Sequence, residues 1–188
     1  MGMRKRWYQI AALFVLGTVL FSAIQFGVLP QRAARQQAVA AAQNDALTHD
    51  ISAALPYQNL YLGDVSNTVN LFYHLPLYQT KTQFEIDSEH FGLTVYYFAT
   101  VDEIGTATLR RDLVYNTAAA MALIDNLQTI RFELTGAEFV FTREGLQAAL
   151  GGQPLGELLQ GDTWRQTVQQ PLADDAFVDT FYSADTPK

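Results

Sequence analysis

Residues 7–29 form an almost unbroken apolar run, WYQIAALFVLGTVLFSAIQFGVL, with Arg4, Lys5 and Arg6 just before it and a polar alanine and glutamine segment just after it. As a helix rising about 1.5 Å per residue, such a run is roughly 34 Å long, against a bilayer hydrocarbon core of about 30 Å. The expectation is one transmembrane helix over residues 7–29, seated in the lipid bilayer, behind a cytoplasmic tail of residues 1–6. Bases ahead of the run, with Trp7 and Tyr8 at headgroup level, turn the amino terminus towards the cytoplasm and place the chain beyond residue 29 outside it. Arg32 and Arg35 behind the run soften that contrast.

A cleaved secretory signal is the alternative reading, but its small-x-small cleavage site belongs close behind the apolar stretch. The nearest match, Ala38-Val39-Ala40, lies beyond Pro30, two arginines and several glutamines. The chain has no cysteine, so disulfide stapling and a lipid-modified cysteine anchor are excluded. Residues 1–35 carry a net charge of +5 and residues 36–188 carry −12. A soluble part that acidic repels phosphate backbones, so no nucleic acid partner is expected.

Gln31 to Thr48 has no bulky apolar stripe and reads as a helical stalk within residues 30–50, with a disordered spacer as the alternative. Residues 51–152 are about the right size for one hydrophobic core. Asp64 is a plausible N-cap for a first helix with Val65, Val69 and Phe72 on one side, stopped by Pro76. Thr82, Phe84 and Ile86 alternate with polar residues, and Leu93 to Val101 resumes after the Ser88 to Gly92 loop, giving two strands. Leu113, Thr117, Ala120, Ile124 and Leu127 mark a second helix. Thr129 to Leu134 and Glu138 to Phe141 pair around Gly136, and Thr142 caps a third helix ended by Gly151 and Gly152. The fold class read from this αββαββα order is α+β, an antiparallel sheet with helices on one face. Residues 153–188 read as a C-terminal extension, partly disordered, with a loosely docked helix around Trp164.

Tyr61-Leu62-Gly63-Asp64-Val65-Ser66-Asn67-Thr68-Val69, Leu75-Pro76, Phe91-Gly92-Leu93-Thr94-Val95-Tyr96-Tyr97, Ala122-Leu123-Ile124-Asp125-Asn126-Leu127 and Phe141-Thr142-Arg143-Glu144 succeed one another in an order and spacing that resembles a bacterial domain of unknown function, family number 4825. The resemblance covers about half the chain. It implies a small extracytoplasmic domain, alone behind one membrane helix or joined to larger membrane proteins, some of which resemble antibiotic-sensing metallopeptidases. It brings no catalytic residues with it. Gly63, Asp64, Pro76, Gly92, Asp125, Asn126 and Thr142 are the motif residues it marks, and each has a structural reading in a turn or a cap.

Asp87-Ser88-Glu89-His90 holds the residue types of a hydrolase, but adjacent side chains in a short loop do not form a relay of nucleophile, base and orienting acid. His49, His74 and His90 lack helical ligand spacing, and only a site built on His74, His90, Asp87 and Glu89 is conceivable. Glycines 145, 151, 152 and 156 match neither a phosphate loop nor a dinucleotide fingerprint, so no nucleotide or other cofactor is expected. Arg110 and Arg111 stand in the first turn of the expected second helix, where the macrodipole disfavours cations, unless that helix begins earlier near Thr108. With Tyr96 and Phe98 of the second strand they are the candidate partner-binding residues. Two function classes remain open. The first is an extracytoplasmic interaction or sensory module of the cell envelope that meets an envelope or membrane protein. The alternative is an extracytoplasmic hydrolase with a site of scattered acids and histidine.

Overall fold

The computed structural model describes residues 29–183 continuously and, ahead of them, residues 7, 13–18, 21, 22 and 25. The chain divides into two compact units, Met1–Ala41 and Ala42–Lys188. At the junction, Leu29–Gln43 forms helix α1, none of whose residues is buried. Among the described residues no helix is long and apolar enough to cross a membrane, which overturns the expected transmembrane helix over residues 7–29. Residues 1–6, and within the run residues 8–12, 19, 20, 23, 24 and 26–28, lie outside the described residues. Helix α1 is itself only about 22 Å long, short of the roughly 30 Å needed. It also carries Arg32, Arg35 and four glutamines.

The second unit is built on two hairpins, β1 (Thr82–Asp87) with β2 (Gly92–Tyr97) and β3 (Thr129–Leu134) with β4 (Ala137–Thr142). Their order in the sheet is β1-β2-β3-β4. The hairpin pairs are antiparallel, but β2 and β3 run parallel. The sheet is therefore mixed, correcting the antiparallel expectation. The hairpins are joined by a helical crossover, and a crossover of that length returns the chain to the same end of the sheet, where a turn of a few residues cannot. Strict alternation sorts the strands into two faces. Phe84, Val95, Phe132 and Phe139 stand opposite one another across all four strands, as do Ile86, Leu93, Ile130 and Phe141.

Helices cover that apolar face. Helix α2 (Val65–Phe72) begins at Asp64, whose side chain accepts from the Asn67 N–H, and brings Phe72 onto Phe84 with ring centroids 5.4 Å apart. A short helix α3 (Val101–Ile104) starts from a capping box of Thr100 and Glu103, so β2 ends at Tyr97 and does not reach Val101. Gly105, at φ 92°, turns the chain into helix α4 (Thr106–Leu123). Every residue from Asp112 to Leu123 is buried. A helix buried on all sides needs small residues where neighbours approach, and Ala118, Ala119, Ala120 and Ala122 supply them. Helix α5 (Arg143–Ala149) starts at Thr142, which accepts from Gly145 N–H.

The sequence-read boundaries at 50 and 152 are both too narrow. Ala46 and His49 are buried, so the folded unit takes in the end of the expected stalk. Beyond Gly152, the side chains of Leu155, Leu158, Trp164, Val168, Leu172, Val178 and Phe181 are all buried in the core. The expected loosely docked extension is thus part of the domain up to helix α6 (Asp175–Ser183). Ahead of α6, Leu155, Leu158, Val168 and Leu172 ride on 3-10 turns at Leu155–Leu159 and Pro171–Ala173 and a π turn at Arg165–Gln169. None of these repeats at the 3.6-residue period by which sequence reading finds a packed helix. Residues 184–188 lie outside the described residues.

Candidate interaction surface

Among the described residues of the second unit, no helix covers the second face of the sheet. Gln83, Tyr96, Glu133 and Glu138 form one row across it, and Glu85, Thr94, Arg131 and Val140 the next. Gln83, Glu85 and Glu138 are exposed. Tyr96 donates its hydroxyl to Glu85 Oε2 at 2.6 Å. That hydrogen bond raises the tyrosine pKa to about 12, with the charges of Glu85 and Glu133 adding to the effect. The phenol therefore stays neutral, with its ring standing between two carboxylates. Arg131 pairs with Glu138, the diagonal neighbour on β4.

At the end of this face a groove of about 430 Å³ opens between the ends of β1, β2 and β3, lined by Gln83, Glu85, Tyr96, Phe98, Glu133 and Thr135. Phe98 is 56% exposed, and the ammonium of Lys81 lies 4.9 Å from its ring centroid. A backbone bond from Phe98 N–H to the Lys81 carbonyl, at 2.9 Å, holds these two residues side by side. The groove thus offers carboxylate acceptors and aromatic faces on a rigid sheet, suited to holding a partner's donors and cations.

Of the four residues expected to meet a partner, Tyr96 and Phe98 lie on this surface and the two arginines do not. Arg110 sits in the second turn of α4, since that helix starts at Thr106. Its guanidinium pairs with Asp179 at 2.7 Å and lies 4.2 Å from the Tyr182 ring centroid. Tyr182 in turn donates to the Arg110 carbonyl at 2.9 Å and packs on Phe139 and Phe141, which face the helices. Arg110 therefore fastens α6 to α4 behind the sheet. Arg111 comes next on the same helix, with a buried Nε that has no hydrogen-bond partner. Glu85 and Glu133 do not stand out in the sequence as site residues. Their signal lies in the alternation of the strands, which places positions 83, 85, 94, 96, 131 and 133 outward together.

The motif residues are architectural. Asp64 caps α2, and Gly63 precedes it in the turn, where Asp64 N–H donates to the Tyr61 carbonyl. Pro76 presents its carbonyl to Asn116 Nδ2 at 2.8 Å, fixing the bend at Leu77, which has φ 68°. Asn126 Oδ1 accepts from Leu62 N–H at 2.7 Å, and Asp125 N–H donates to the Asn59 carbonyl. Arg143 donates from Nε to the Leu127 carbonyl and from Nη2 to those of Met121 and Ile124, all within 2.7–2.8 Å. It closes the carboxyl end of α4, whose last carbonyls have no partner within the helix. Gly92 does not carry the left-handed turn; Phe91 does, at φ 53°.

The acid and histidine loop is a turn cap. Asp87 Oδ1 accepts from the Glu89 and His90 N–H groups at 3.1 Å, and Oδ2 accepts from His90 Nδ1 at 2.8 Å. Both side chains are more than half exposed. His74 donates from Nδ1 to the Asn70 carbonyl and accepts from the Tyr57 hydroxyl. Among the described residues no three histidine, aspartate or glutamate side chains come together in a way that could hold a metal ion.

A second polar cluster lies inside the core. His49 donates from Nε2 to the His74 carbonyl at 2.7 Å and accepts at Nδ1 from Tyr115, while Trp164 Nε1 donates to the Tyr115 oxygen at 3.0 Å. Burial lowers the His49 pKa, in keeping with a neutral ring that has one donor and one acceptor in use. Asp112 Oδ1 accepts from Ala46 N–H at 2.9 Å, and burial pushes its pKa up to about 7.

Residues 54–142 match the model of a family described as a domain of unknown function, DUF4825. The matched stretch runs from the turns ahead of α2 to the end of β4, and so contains the whole sheet and the groove. No curated protein and no solved structure matches the chain.

Proposed function

We propose that the folded unit, whose residues 54–142 match the DUF4825 family model, is an interaction or sensory module of the cell envelope whose partner, an envelope or membrane protein, is met by the second face of the sheet. The observation that carries this reading is the groove beside Tyr96 and Phe98. A partly buried tyrosine and an exposed phenylalanine flanked by acceptors, on a face that no described helix of this unit covers, match the composition of protein contact sites. The envelope assignment draws on the sequence, whose resemblance to this family implies an extracytoplasmic domain.

Two experiments test the reading. A photoreactive phenylalanine analogue placed at position 98 or 83 should crosslink to a discrete partner in intact cells, and the same probe at position 157, on the helical side, should not. Equal crosslinking from both sides, or none from the sheet, would remove the proposed surface. Protease added to spheroplasts should degrade the folded unit, and its protection in sealed cells would remove the envelope assignment.

A further inference from the structure

The row Gln83, Tyr96, Glu133 and Glu138 places two glutamates directly opposite each other on β3 and β4. Like charges at facing positions destabilise a strand pair, and a solvent-facing row designed for stability alone would alternate their signs. Arg131 relieves only one of them, by pairing with Glu138. Glu133 has no ion-pair partner among the described residues, and its carboxylate lines the groove together with Glu85. Where local sheet energetics are set aside in this way, a binding role is the usual compensation.

We propose that the groove is the docking site for a basic segment of a partner protein, whose lysine or arginine side chains reach Glu133 and Glu85 and lie over the rings of Tyr96 and Phe98. The inference rests on the interaction-module reading and deepens it by fixing the chemistry of the partner. Charge complementarity is its first support, since the groove's acids are Glu85 and Glu133, while of the bases beside it Arg131 is paired with Glu138 and Lys81 lies against the Phe98 ring. Its second is the Lys81 ammonium, 4.9 Å from the Phe98 ring centroid. The protein's own side chain demonstrates how a cation sits on that ring. Tyr96 holds its hydroxyl on Glu85, which leaves the ring face for a second cation in the same manner.

The test uses the full chain in non-ionic detergent and a fluorescein-labelled peptide of alternating lysine, arginine and serine, with a glutamate and serine peptide as its counterpart. Fluorescence anisotropy should show saturable binding of the basic peptide alone, weakening as salt rises from 50 to 300 mM as expected of exposed charges. Glu133→Gln combined with Glu85→Gln should weaken binding at least fivefold, and Tyr96→Ala should weaken it at least threefold. Asp162→Asn with Asp174→Asn and Asp175→Asn, which removes as much or more charge elsewhere, should change it less than twofold. An equal loss from that control would reduce the binding to net charge and overturn the proposal. Absence of basic-peptide binding would overturn it too, and if position 98 still crosslinked to a partner in cells, the interaction-module reading would stand without it. Melting curves of each variant, unchanged within a few degrees, show that losses do not come from unfolding.

Discussion

Tyr115 donates its hydroxyl proton to His49 Nδ1 at 2.8 Å, joining the middle of the central helix to a residue that precedes the matched family region. The histidine also donates to the His74 carbonyl, so neither ring nitrogen is free for a second proton. Gln169 Nε2 closes over the same segment by donating to the carbonyls of Ala46 and His49, and Asp112 receives the Ala46 N–H. The stretch that leads out of α1 is therefore clamped by residues far along the chain.

Two buried groups in this clamp give opposite pH dependences. The unfolded chain protonates His49 near pH 6.5, while burial keeps the folded ring neutral to lower pH. Its contribution to stability is present above pH 6.5 and is lost as pH falls from there through the lowered folded value. Asp112 behaves the other way. Its folded pKa is raised to about 7 from 3.8, so its contribution is fully present below about pH 3.8 and is lost as pH rises through 7, by on the order of 2–4 kcal/mol. Urea unfolding of Asp112→Asn should show its stability gaining on that of the wild type between pH 5 and pH 8. His49→Phe should gain on the wild type in stability as pH falls from 6.5 to 5. Parallel pH profiles for all three proteins would contradict the placement of both groups.

The carboxyl-terminal segment should be indispensable. Trp164 is 2% exposed, stacks edge-on against Tyr115 at 5.2 Å and donates to its hydroxyl. Trp164→Ala should cost about 3–5 kcal/mol, and Trp164→Phe less, through the lost hydrogen bond and volume. A chain ending at Gly152 should fail to show a cooperative unfolding transition, because seven buried apolar side chains go with the deletion. A sharp melt from that truncated chain would return the domain boundary to residue 152.

Arg143 should behave as a capping residue of the helix before it in space, α4. Arg143→Ala leaves the carbonyls of Met121, Ile124 and Leu127 without their charged donor, and hydrogen bonds to charged groups contribute about 1.5–3 kcal/mol each. A loss of about 3 kcal/mol is expected, with Arg143→Lys recovering part of it, since an ammonium lacks the planar fork that reaches several carbonyls at once. Chemical denaturation of the two variants measures this, and equal stability of Ala and Lys would show that the geometry of the fork is immaterial.

The legibility of this fold in its sequence is set by the information that periodicity carries. Strands can be placed within a few residues because Phe84, Val95 and Phe132 alternate with polar neighbours, and Asp64 and Thr142 announce their helices as N-caps. The parallel join of β2 and β3 is not legible, since alternation says which side chains share a face and nothing of the direction in which the next strand runs. Burial of the clamp around His49 rests on contacts across more than a hundred residues, as between Gln169 and Ala46, for which no local pattern exists. On the candidate surface, Tyr96 and Phe98 stand out as aromatic residues in a strand. Glu133 gains its meaning only from the position of β3 between β2 and β4, opposite both Tyr96 and Glu138.

The first hairpin turn supplies a prediction in which neighbouring residues differ in sign. Gly92 has an ordinary negative φ, and a methyl group added there would meet Asp87 Cβ at 3.5 Å, an unstrained contact. Phe91 beside it is held at φ 53°, a region that L side chains enter at a cost of about 1–2 kcal/mol and glycine enters freely. Gly92→Ala should therefore change stability by less than about 1 kcal/mol, whereas Phe91→Gly should hold or raise it despite the lost ring, which is 43% exposed. The second hairpin is the comparison, because its turn residue Gly136 is itself at φ 85°, and Gly136→Ala should cost about 1–2 kcal/mol. Thermal melts of the three variants decide the matter. A drop for Gly92→Ala as large as that for Gly136→Ala would mean that the left-handed residue of the first turn is the glycine and not the phenylalanine.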